Sequence, residues 1–203
     1  MQIFRFVITG GPCGGKTTAL SHVRRYFEEK GFGIVTVPET ATELISSGIS
    51  PWTVGSSFVY QSVQLRLQVE KERVYEYGAS LLGKDKVLLI LDRGMLDNRA
   101  YLEPHEFTRA VEEVGLREED LPSRYHAVFH LVTAADGAEE YYTVANNQAR
   151  SETAAEARAL DERLWDSWRV HPRHFMIDNE GGMEGKISSL IEGMESVIKD
   201  SAE

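Results

Sequence analysis

One stretch of the sequence has the residue types and spacing of a phosphate-binding loop. Residues 10–17 read Gly-Gly-Pro-Cys-Gly-Gly-Lys-Thr and fit the pattern G-x-x-x-x-G-K-[ST]. Glycines allow successive backbone N–H groups to turn toward phosphate oxygens, and the start of the next helix adds partial positive charge. An apolar strand pattern precedes the stretch and a helical pattern follows it. The spacing therefore predicts binding of a nucleoside triphosphate.

The residue types within this loop predict separate contacts. Lys16 is expected to bridge the β- and γ-phosphates, and the Thr17 hydroxyl to bind Mg²⁺. The alternatives are a glycine-rich turn with a chance lysine, and a dinucleotide fingerprint, which the glycine spacing does not fit. The predicted nucleotide contacts are Gly11, Pro12, Cys13, Gly14, Gly15, Lys16, Thr17 and Thr18.

A second charged centre follows the apolar run Val87 to Leu91. Asp92 stands where proteins with a phosphate-binding loop place a carboxylate that holds Mg²⁺. Arg93 is predicted to bind the phosphoryl acceptor. Asp97, four residues beyond Arg93, could pair with it or bind the acceptor. The alternative for Asp92 and Arg93 is an ordinary surface ion pair at a strand end.

Glu39 follows the apolar run Gly33 to Val37. A carboxylate at the end of that strand could take the proton of a substrate hydroxyl as it attacks the γ-phosphorus. Glu39 could equally be a residue that begins a helix, since the run after it has a helical pattern and the helix macrodipole favours an acidic first turn. From the residue alone, both interpretations stay open.

A stripe of uncharged polar residues begins at Ser57 and continues through Gln61, Gln64 and Gln68. Spacings of four, three and four place them on one face of a long helix. Amides both donate and accept hydrogen bonds, so Gln61 and Gln64 are candidate acceptor-binding residues, together with the aromatic residues Trp52 and Phe58. The alternative is a solvated or interface-facing stripe, with the aromatic rings in the core.

Residues 136–165 are polar and alanine-rich, which indicates a partly helical lid. Lid arginines can stabilise the charge of a migrating phosphoryl group while the lid excludes water, and Arg150 and Arg158 are the candidates. The alternative is a set of surface ion pairs with acidic neighbours on a helix, among them Asp161. The histidines have no metal-binding spacing.

The order of apolar and helical segments predicts the fold class. Strand patterns occur at residues 3–9, 33–37, 87–91, 127–132 and 174–177, and helical patterns at 16–30, 53–77, 104–114, 152–168 and 183–199. This alternation favours an α/β fold of the P-loop NTPase type, with a five-stranded parallel sheet flanked by helices and a helical lid. No linker or repeat divides residues 1–203, so a single domain is expected.

Composition narrows the classes of partner. The formal net charge is −10, which argues against broad binding to nucleic acid or to anionic membranes. The single cysteine excludes an intrachain disulfide framework. No apolar run approaches the length of a membrane span, and a cytoplasmic location is expected.

Several motifs together resemble a known group. They are GGPCGGKTT at 10–18, PETATELI at 38–45, LDRGMLDNRAYL at 91–102 and a long segment with Leu-Asp, Trp and His-Pro at 146–179. This combination resembles the P-loop AAA-labelled family that includes the nicotinamide riboside kinase domain of bacterial NAD-biosynthesis regulators and the TRPL-translocation-defect ATPase-like proteins.

The resemblance implies a fold related to thymidylate and deoxynucleoside kinases rather than a ring-forming mechanical ATPase. It implies that Glu39 acts as the base, that Asp92 and Arg93 form the acidic-arginine pair after the third strand, and that Arg150 and Arg158 are lid arginines. The family contains small-molecule kinases as well as nucleotide-binding regulators.

These observations lead to two functional hypotheses. The first is a kinase that uses Mg²⁺ and ATP to phosphorylate a small nucleoside-like or riboside-like metabolite. The second is a regulatory NTPase or binding module in which ATP or GTP orders the lid and hydrolysis is slow. The expected ligands are ATP or GTP, Mg²⁺ and, for the kinase, a small-molecule acceptor; nucleic acid is not expected, and a homodimer stays open.

Overall fold

The computed structural model describes residues 1–135 and 153–201. Its centre is a five-stranded parallel sheet with the strand order β2-β3-β1-β4-β5. The strands are β1 (Gln2–Thr9), β2 (Gly33–Val37), β3 (Lys86–Asp92), β4 (Ala127–Leu131) and β5 (His174–Ile177). The predicted α/β fold with a parallel sheet is therefore confirmed.

Six α-helices flank the sheet in the described part of the chain. They are α1 (Lys16–Glu29), α2 (Thr40–Ser46), α3 (Ser57–Ser80), α4 (Pro104–Glu112), α5 (Ala154–Trp168) and α6 (Gly182–Asp200). A 3₁₀ helix, Met95–Tyr101, follows β3. Because parallel strands need crossover connections, the helices cover both faces of the sheet.

The two faces of the sheet have separate hydrophobic cores. Alternate residues of β1 face opposite sides, so Phe6 packs with α1 and α6 while Val7 packs toward α3, α4 and Trp168. Both side chains are fully buried. This burial explains why the strands are almost continuously apolar, and it holds their carboxyl ends, where Thr9 and Asp92 lie, side by side at one edge of the sheet.

Helix α3 begins later than the sequence pattern predicts. The pattern begins at Thr53, whereas the helix begins at Ser57. Ser56 is the N-cap residue, and its hydroxyl accepts a hydrogen bond from the Val59 N–H at 3.2 Å. The Thr53 hydroxyl instead bonds within the preceding turn, to the carbonyl of Ser50 at 3.0 Å. Capping chemistry therefore sets this boundary rather than helical periodicity.

None of the helices described within residues 1–135 and 153–201 combines the length and the apolar character needed to cross a membrane.

Candidate functional site

The glycine-rich loop connects the end of β1 to the start of α1. Gly10 has a φ of 130°, and a Cβ atom there would lie 2.0 Å from the carbonyl oxygen of Leu131. Only glycine fits such a conformation at such a close approach. Cys13, within the loop, also has a positive φ, 58°. The chain therefore curls tightly just before the helix, as the phosphate-binding pattern predicts.

Lys16 is the first residue of α1 and is buried, with 8% of its surface exposed. Its ammonium group donates to the carbonyl oxygens of Gly10 at 3.2 Å and Gly11 at 3.3 Å. Thr17 and Thr18 are exposed in the first turn of the same helix. The lysine thus lies over the loop, and two hydroxyl groups stand beside it at the positive end of the helix.

The end of β3 lies next to this loop, since β1 and β3 are paired. Arg93, directly after β3, has a φ of 71°, which is unusual for a residue with a side chain. Its N–H donates to the carbonyl of Ile8 at 3.0 Å, and its Nε donates to Glu39 Oε1 at 2.6 Å. The strained backbone thus orients the guanidinium toward the end of β2.

Glu39 occupies the N-cap position of α2, immediately after β2. Its other carboxylate oxygen accepts a hydrogen bond from the Thr42 hydroxyl at 2.5 Å. Burial alone would raise the pKa of Glu39, but Arg93, Lys16 and the Thr42 hydroxyl together lower it to about 2. Glu39 is consequently ionised at neutral pH, and it is both a helix-start residue and a neighbour of the loop lysine.

The Glu39 carboxylate predicts a measurable acid sensitivity. Because its pKa is lower in the folded protein than the ordinary 4.5, it stabilises the fold above about pH 4.5, and this contribution is lost as pH falls toward about 2. The contribution is at most about 3 kcal/mol. We expect Glu39→Gln to destabilise the protein at about pH 7 in urea unfolding, and to lose this deficit only as the pH falls to about 2.

The matched control is Glu28→Gln, which alters an exposed ion pair between Arg24 and Glu28. Such a pair contributes about 0.5 kcal/mol or less. A Glu39→Gln deficit that stays constant over the whole pH range would contradict the proposed ionisation of Glu39.

Asp92 is the last residue of β3, and its Oδ1 is buried without a hydrogen-bond partner among the described residues. Burial raises the pKa of Asp92 above its ordinary value, and Lys16 opposes this effect. A buried carboxylate oxygen without a donor is suited to a cation, because hard cations such as Mg²⁺ take oxygen ligands. Asp92 and the exposed hydroxyl of Thr17 are therefore chemically suited to hold Mg²⁺.

Asp97 lies in the 3₁₀ helix, with 1% of its surface exposed. One carboxylate oxygen accepts a hydrogen bond from the Thr9 hydroxyl, and the other accepts from the Gly94 N–H at 2.7 Å. The guanidinium of Arg93 is 3.6 Å from Asp97 Oδ1. The pairing of Arg93 with Asp97 is thus present, and the contacts of Asp97 are with the ends of β1 and β3.

Three glutamines of the polar stripe on α3 are buried. Gln61, Gln64 and Gln68 are between 4% and 6% exposed, whereas Ser57 is exposed. Gln64 Nε2 donates to Asn98 Oδ1 at 2.7 Å, and Asn98 Nδ2 donates to Gln68 Oε1 at 3.0 Å. The stripe therefore faces the 3₁₀ helix after β3 rather than solvent.

Several buried polar atoms near this stripe lack a hydrogen bond within the described part of the chain. They are Gln61 Oε1, Gln64 Oε1 and Arg93 Nη1. Buried polar atoms are normally paired, so these atoms are suited to contact a bound ligand. Of the two aromatic candidates, Trp52 is 72% exposed, and Phe58 packs against the core.

Two tyrosines that the sequence patterns did not indicate lie beside these groups. Tyr60 is 3% exposed, and burial together with the neighbouring Glu39 carboxylate raises its pKa to about 12. Burial lowers the pKa of Arg93, but the neighbouring Tyr101, Glu39 and Asp97 outweigh this effect and raise that pKa above its ordinary value, so Tyr101 lies close to the guanidinium. The burial of Tyr60 beside Glu39 depends on how α3 packs against the rest of the fold. No sequence motif indicates that packing.

The lid candidates are only partly within the described residues. Arg150 lies outside them, as does most of the predicted lid before α5. Arg158, on α5, donates from Nη1 to the Ala135 carbonyl at 2.6 Å. Its described contact is thus with the segment directly after β4.

Side chains from the other strands and helices fasten the glycine-rich loop. The Thr133 hydroxyl donates to the Pro12 carbonyl at 2.5 Å, and Lys186 Nζ donates to the Gly14 carbonyl at 3.3 Å. Burial lowers the pKa of Lys186 to about 8. Asp161 of α5 accepts from the Gly11 N–H at 2.5 Å. These contacts join residues far apart in the sequence, so no local motif could have indicated them.

The structure also bears on metal binding by other residues. Within residues 1–135 and 153–201, no group of three or more His, Cys, Asp and Glu side chains is arranged to hold a metal ion.

Comparison with known proteins identifies the family. Residues 5–186 match the family described as AAA domain, and that range contains the glycine-rich loop, Glu39, Asp92 and Asp161. No curated protein matches the chain. The match covers most of the chain and agrees with the parallel sheet and the loop geometry, and it implies nucleotide binding. The chain belongs to the AAA domain family of P-loop proteins.

Proposed function

We propose that this protein is a kinase that transfers the γ-phosphoryl group of ATP, with Mg²⁺, to a hydroxyl of a small nucleoside-like or riboside-like acceptor. One observation carries the proposal. Lys16 lies within electrostatic range of both Glu39 and Asp92, and Glu39 is bonded to Arg93 at 2.6 Å. A loop lysine, two carboxylates and an arginine thus share one partly buried region, as phosphoryl transfer requires.

On the nucleotide side, residues 11–18 would surround the phosphates and Lys16 would neutralise charge on the β- and γ-phosphates. Thr17 and Asp92 would hold Mg²⁺, which supplies charge neutralisation on the phosphate oxygens when bound. ATP is the proposed phosphoryl donor, with GTP as the alternative. Arg158 and Arg150 would approach the transferred group from the lid.

On the acceptor side, Glu39 would accept a hydrogen bond from the attacking hydroxyl and orient its oxygen toward phosphorus. A carboxylate with a pKa of about 2 is a weak base, so the proton would move only as the new bond to phosphorus forms. In the structure Glu39 is held by Arg93. Acceptor binding would therefore exchange part of that ion pair for contacts to substrate, while Asp97 keeps Arg93 in place.

The buried amides on α3 support a place for the rest of the acceptor. Asn98 Nδ2 donates to the Met95 carbonyl at 2.8 Å, which fixes Asn98 Oδ1 as an acceptor. Gln64 must then donate its Nε2 to Asn98, and this leaves Gln64 Oε1 as an acceptor without a partner in the described residues. Gln61 and Gln64 would thus present acceptor oxygens to a donor group of the substrate.

The role of Gln64 leads to a test of acceptor binding. Gln64→Leu removes a hydrogen bond to the acceptor, and we expect the KM for the acceptor to rise about tenfold while the affinity for ATP stays unchanged. Steady-state kinetics and calorimetric titration with ATP measure the two effects. The matched control is Glu70→Ala, an exposed position of the same helix that pairs with Arg73. Equal losses of acceptor and ATP binding in Gln64→Leu would argue against a separate acceptor region.

A screen for acceptor-stimulated release of ADP tests the proposed function itself. Purified protein is incubated with Mg²⁺ and ATP or GTP, alone and with a panel of ribosides, nucleosides and nucleotides. Stimulation by one chemical class is expected. Tight nucleotide binding with slow hydrolysis that no acceptor stimulates would instead support a regulatory NTPase.

A further inference from the structure

The N–H of Gly11 in the glycine-rich loop is bonded to a side chain rather than left for phosphate. It donates to Asp161 Oδ1 at 2.5 Å. A Cβ atom on Gly11 would lie 2.8 Å from that same oxygen, so the carboxylate packs directly against the backbone of the loop. Asp161 lies in α5, 150 residues away in the sequence, and is 8% exposed.

Two further groups contact the Asp161 carboxylate. His130 Nε2 lies 3.0 Å from Oδ1, and the Thr133 N–H donates to Oδ2 at 3.4 Å. A carboxylate only accepts, so His130 carries its proton on Nε2 in this contact. Burial raises the pKa of Asp161, but the His130 contact and the two backbone N–H groups outweigh it and lower the pKa below its ordinary value. Asp161 is thus an ionised, oriented anchor.

Helix α5 touches the other two loops of the site as well. Arg158 donates to the Ala135 carbonyl after β4, and Arg163 Nε donates to the Ala100 carbonyl in the 3₁₀ helix after β3, at 3.2 Å. With Asp161 on the glycine-rich loop, one helix therefore contacts the segments that follow β1, β3 and β4.

We propose that Asp161 is a positioning residue for nucleotide binding. By holding the Gly11 N–H, it fixes the start of the loop, so that the later backbone N–H groups of the loop are oriented toward phosphate before nucleotide arrives. Preorganised donors bind more tightly than donors that must be ordered on binding. Through the same contact, nucleotide binding and the placement of α5 become coupled, and this coupling is reciprocal.

The inference rests on the proposed function only in that a nucleotide is the ligand of the loop. Its test therefore uses ADP binding without acceptor or turnover, so that it can succeed even where the kinase assignment fails. Asp161→Ala removes the carboxylate and leaves the Gly11 N–H without its partner. The matched control is Asp166→Ala, which lies on the same helix and forms an exposed ion pair with Arg169 at 2.8 Å.

We expect Asp161→Ala to bind ADP with Mg²⁺ at least about tenfold more weakly than the wild-type protein in calorimetric titration, because the backbone N–H groups of the loop must then be ordered on binding. Asp166→Ala is expected to stay within about twofold. Circular dichroism checks that both variants are folded. A folded Asp161→Ala variant with wild-type affinity for ADP would overturn the proposal.

A second pair of variants decides the question if Asp161→Ala does not fold. His130 touches Asp161 but has no described contact with the glycine-rich loop. His130→Ala removes the donor that orients the carboxylate, whereas His130→Gln keeps an N–H at similar reach. We expect weaker ADP binding in His130→Ala and recovery in His130→Gln. If His130→Gln binds ADP no better than His130→Ala, Asp161 is not a positioning residue.

Discussion

Lys16→Ala is expected to lower nucleotide turnover at least about a hundredfold, the scale of losing a positioned charge from a phosphoryl-transfer site. The lysine is buried and bonded to two carbonyl groups of its own loop, so it is held in place before nucleotide binds. Its charge also lowers the pKa of Glu39 and opposes the rise in the pKa of Asp92. Release of ADP under saturating ATP and acceptor measures the loss.

The matched control is Lys30→Ala, at the other end of the same helix. Lys30 is 46% exposed in its side chain and pairs with Glu195 at 2.6 Å. Its removal is expected to leave turnover unchanged, because an exposed ion pair contributes little to stability. Full turnover in a folded Lys16→Ala variant would contradict the assignment of the loop as the phosphate-binding element.

Glu39→Gln is expected to have the second largest effect. The amide keeps the size of the side chain but removes the negative charge that would orient and receive the acceptor proton, and acceptor-dependent turnover should fall about a hundredfold or more. The affinity for ATP should change only a few-fold, because Glu39 lies at the end of β2 rather than in the loop. Parallel measurements of product formation and ATP binding separate the two effects.

The rate of acceptor-independent ATP hydrolysis in Glu39→Gln, compared with its rate of phosphoryl transfer, distinguishes two roles for Glu39. If Glu39 only maintains the structure, Glu39→Gln lowers hydrolysis and phosphoryl transfer by the same factor. If it acts on the acceptor, phosphoryl transfer falls much more than hydrolysis. Glu28→Gln, which alters only an exposed pair on α1, is expected to change neither rate.

Much of the fold follows from local patterns. The apolar runs predicted all five strands of the sheet, because strands that are buried on both faces must be apolar at almost every position. The start of α3 and the bounds of the short helix α2 were harder to predict from the sequence. These depend on caps such as Ser56, and on the N-cap position of Glu39, which hydrophobic periodicity does not report.

The residues of the candidate site likewise fall into two groups: those that a local sequence motif indicated and those that it did not. Lys16 was indicated by a motif within a few residues of sequence, and the structure places it close to Glu39 and Asp92. Asp161 and Asn98 were not indicated as site residues, because their partners come from distant elements. Sequence spacing suggested Asp161 as a surface ion-pair partner, whereas it is buried against Gly11. Only the packing of α5 in the folded protein brings Asp161 and Gly11 together.

The family match confirms the AAA domain and supports nucleotide binding, while the acceptor stays a proposal. What distinguishes a kinase from a regulatory NTPase here is the fate of the γ-phosphoryl group.

The most direct measurement is therefore to follow isotopically labelled γ-phosphoryl from ATP in the presence of the acceptor panel, with products identified by mass. The account predicts that the label appears on one acceptor class, as a product heavier by one phosphoryl group, and that Glu39→Gln suppresses it. Label found solely in inorganic phosphate, at a rate that no acceptor changes, would contradict the kinase assignment.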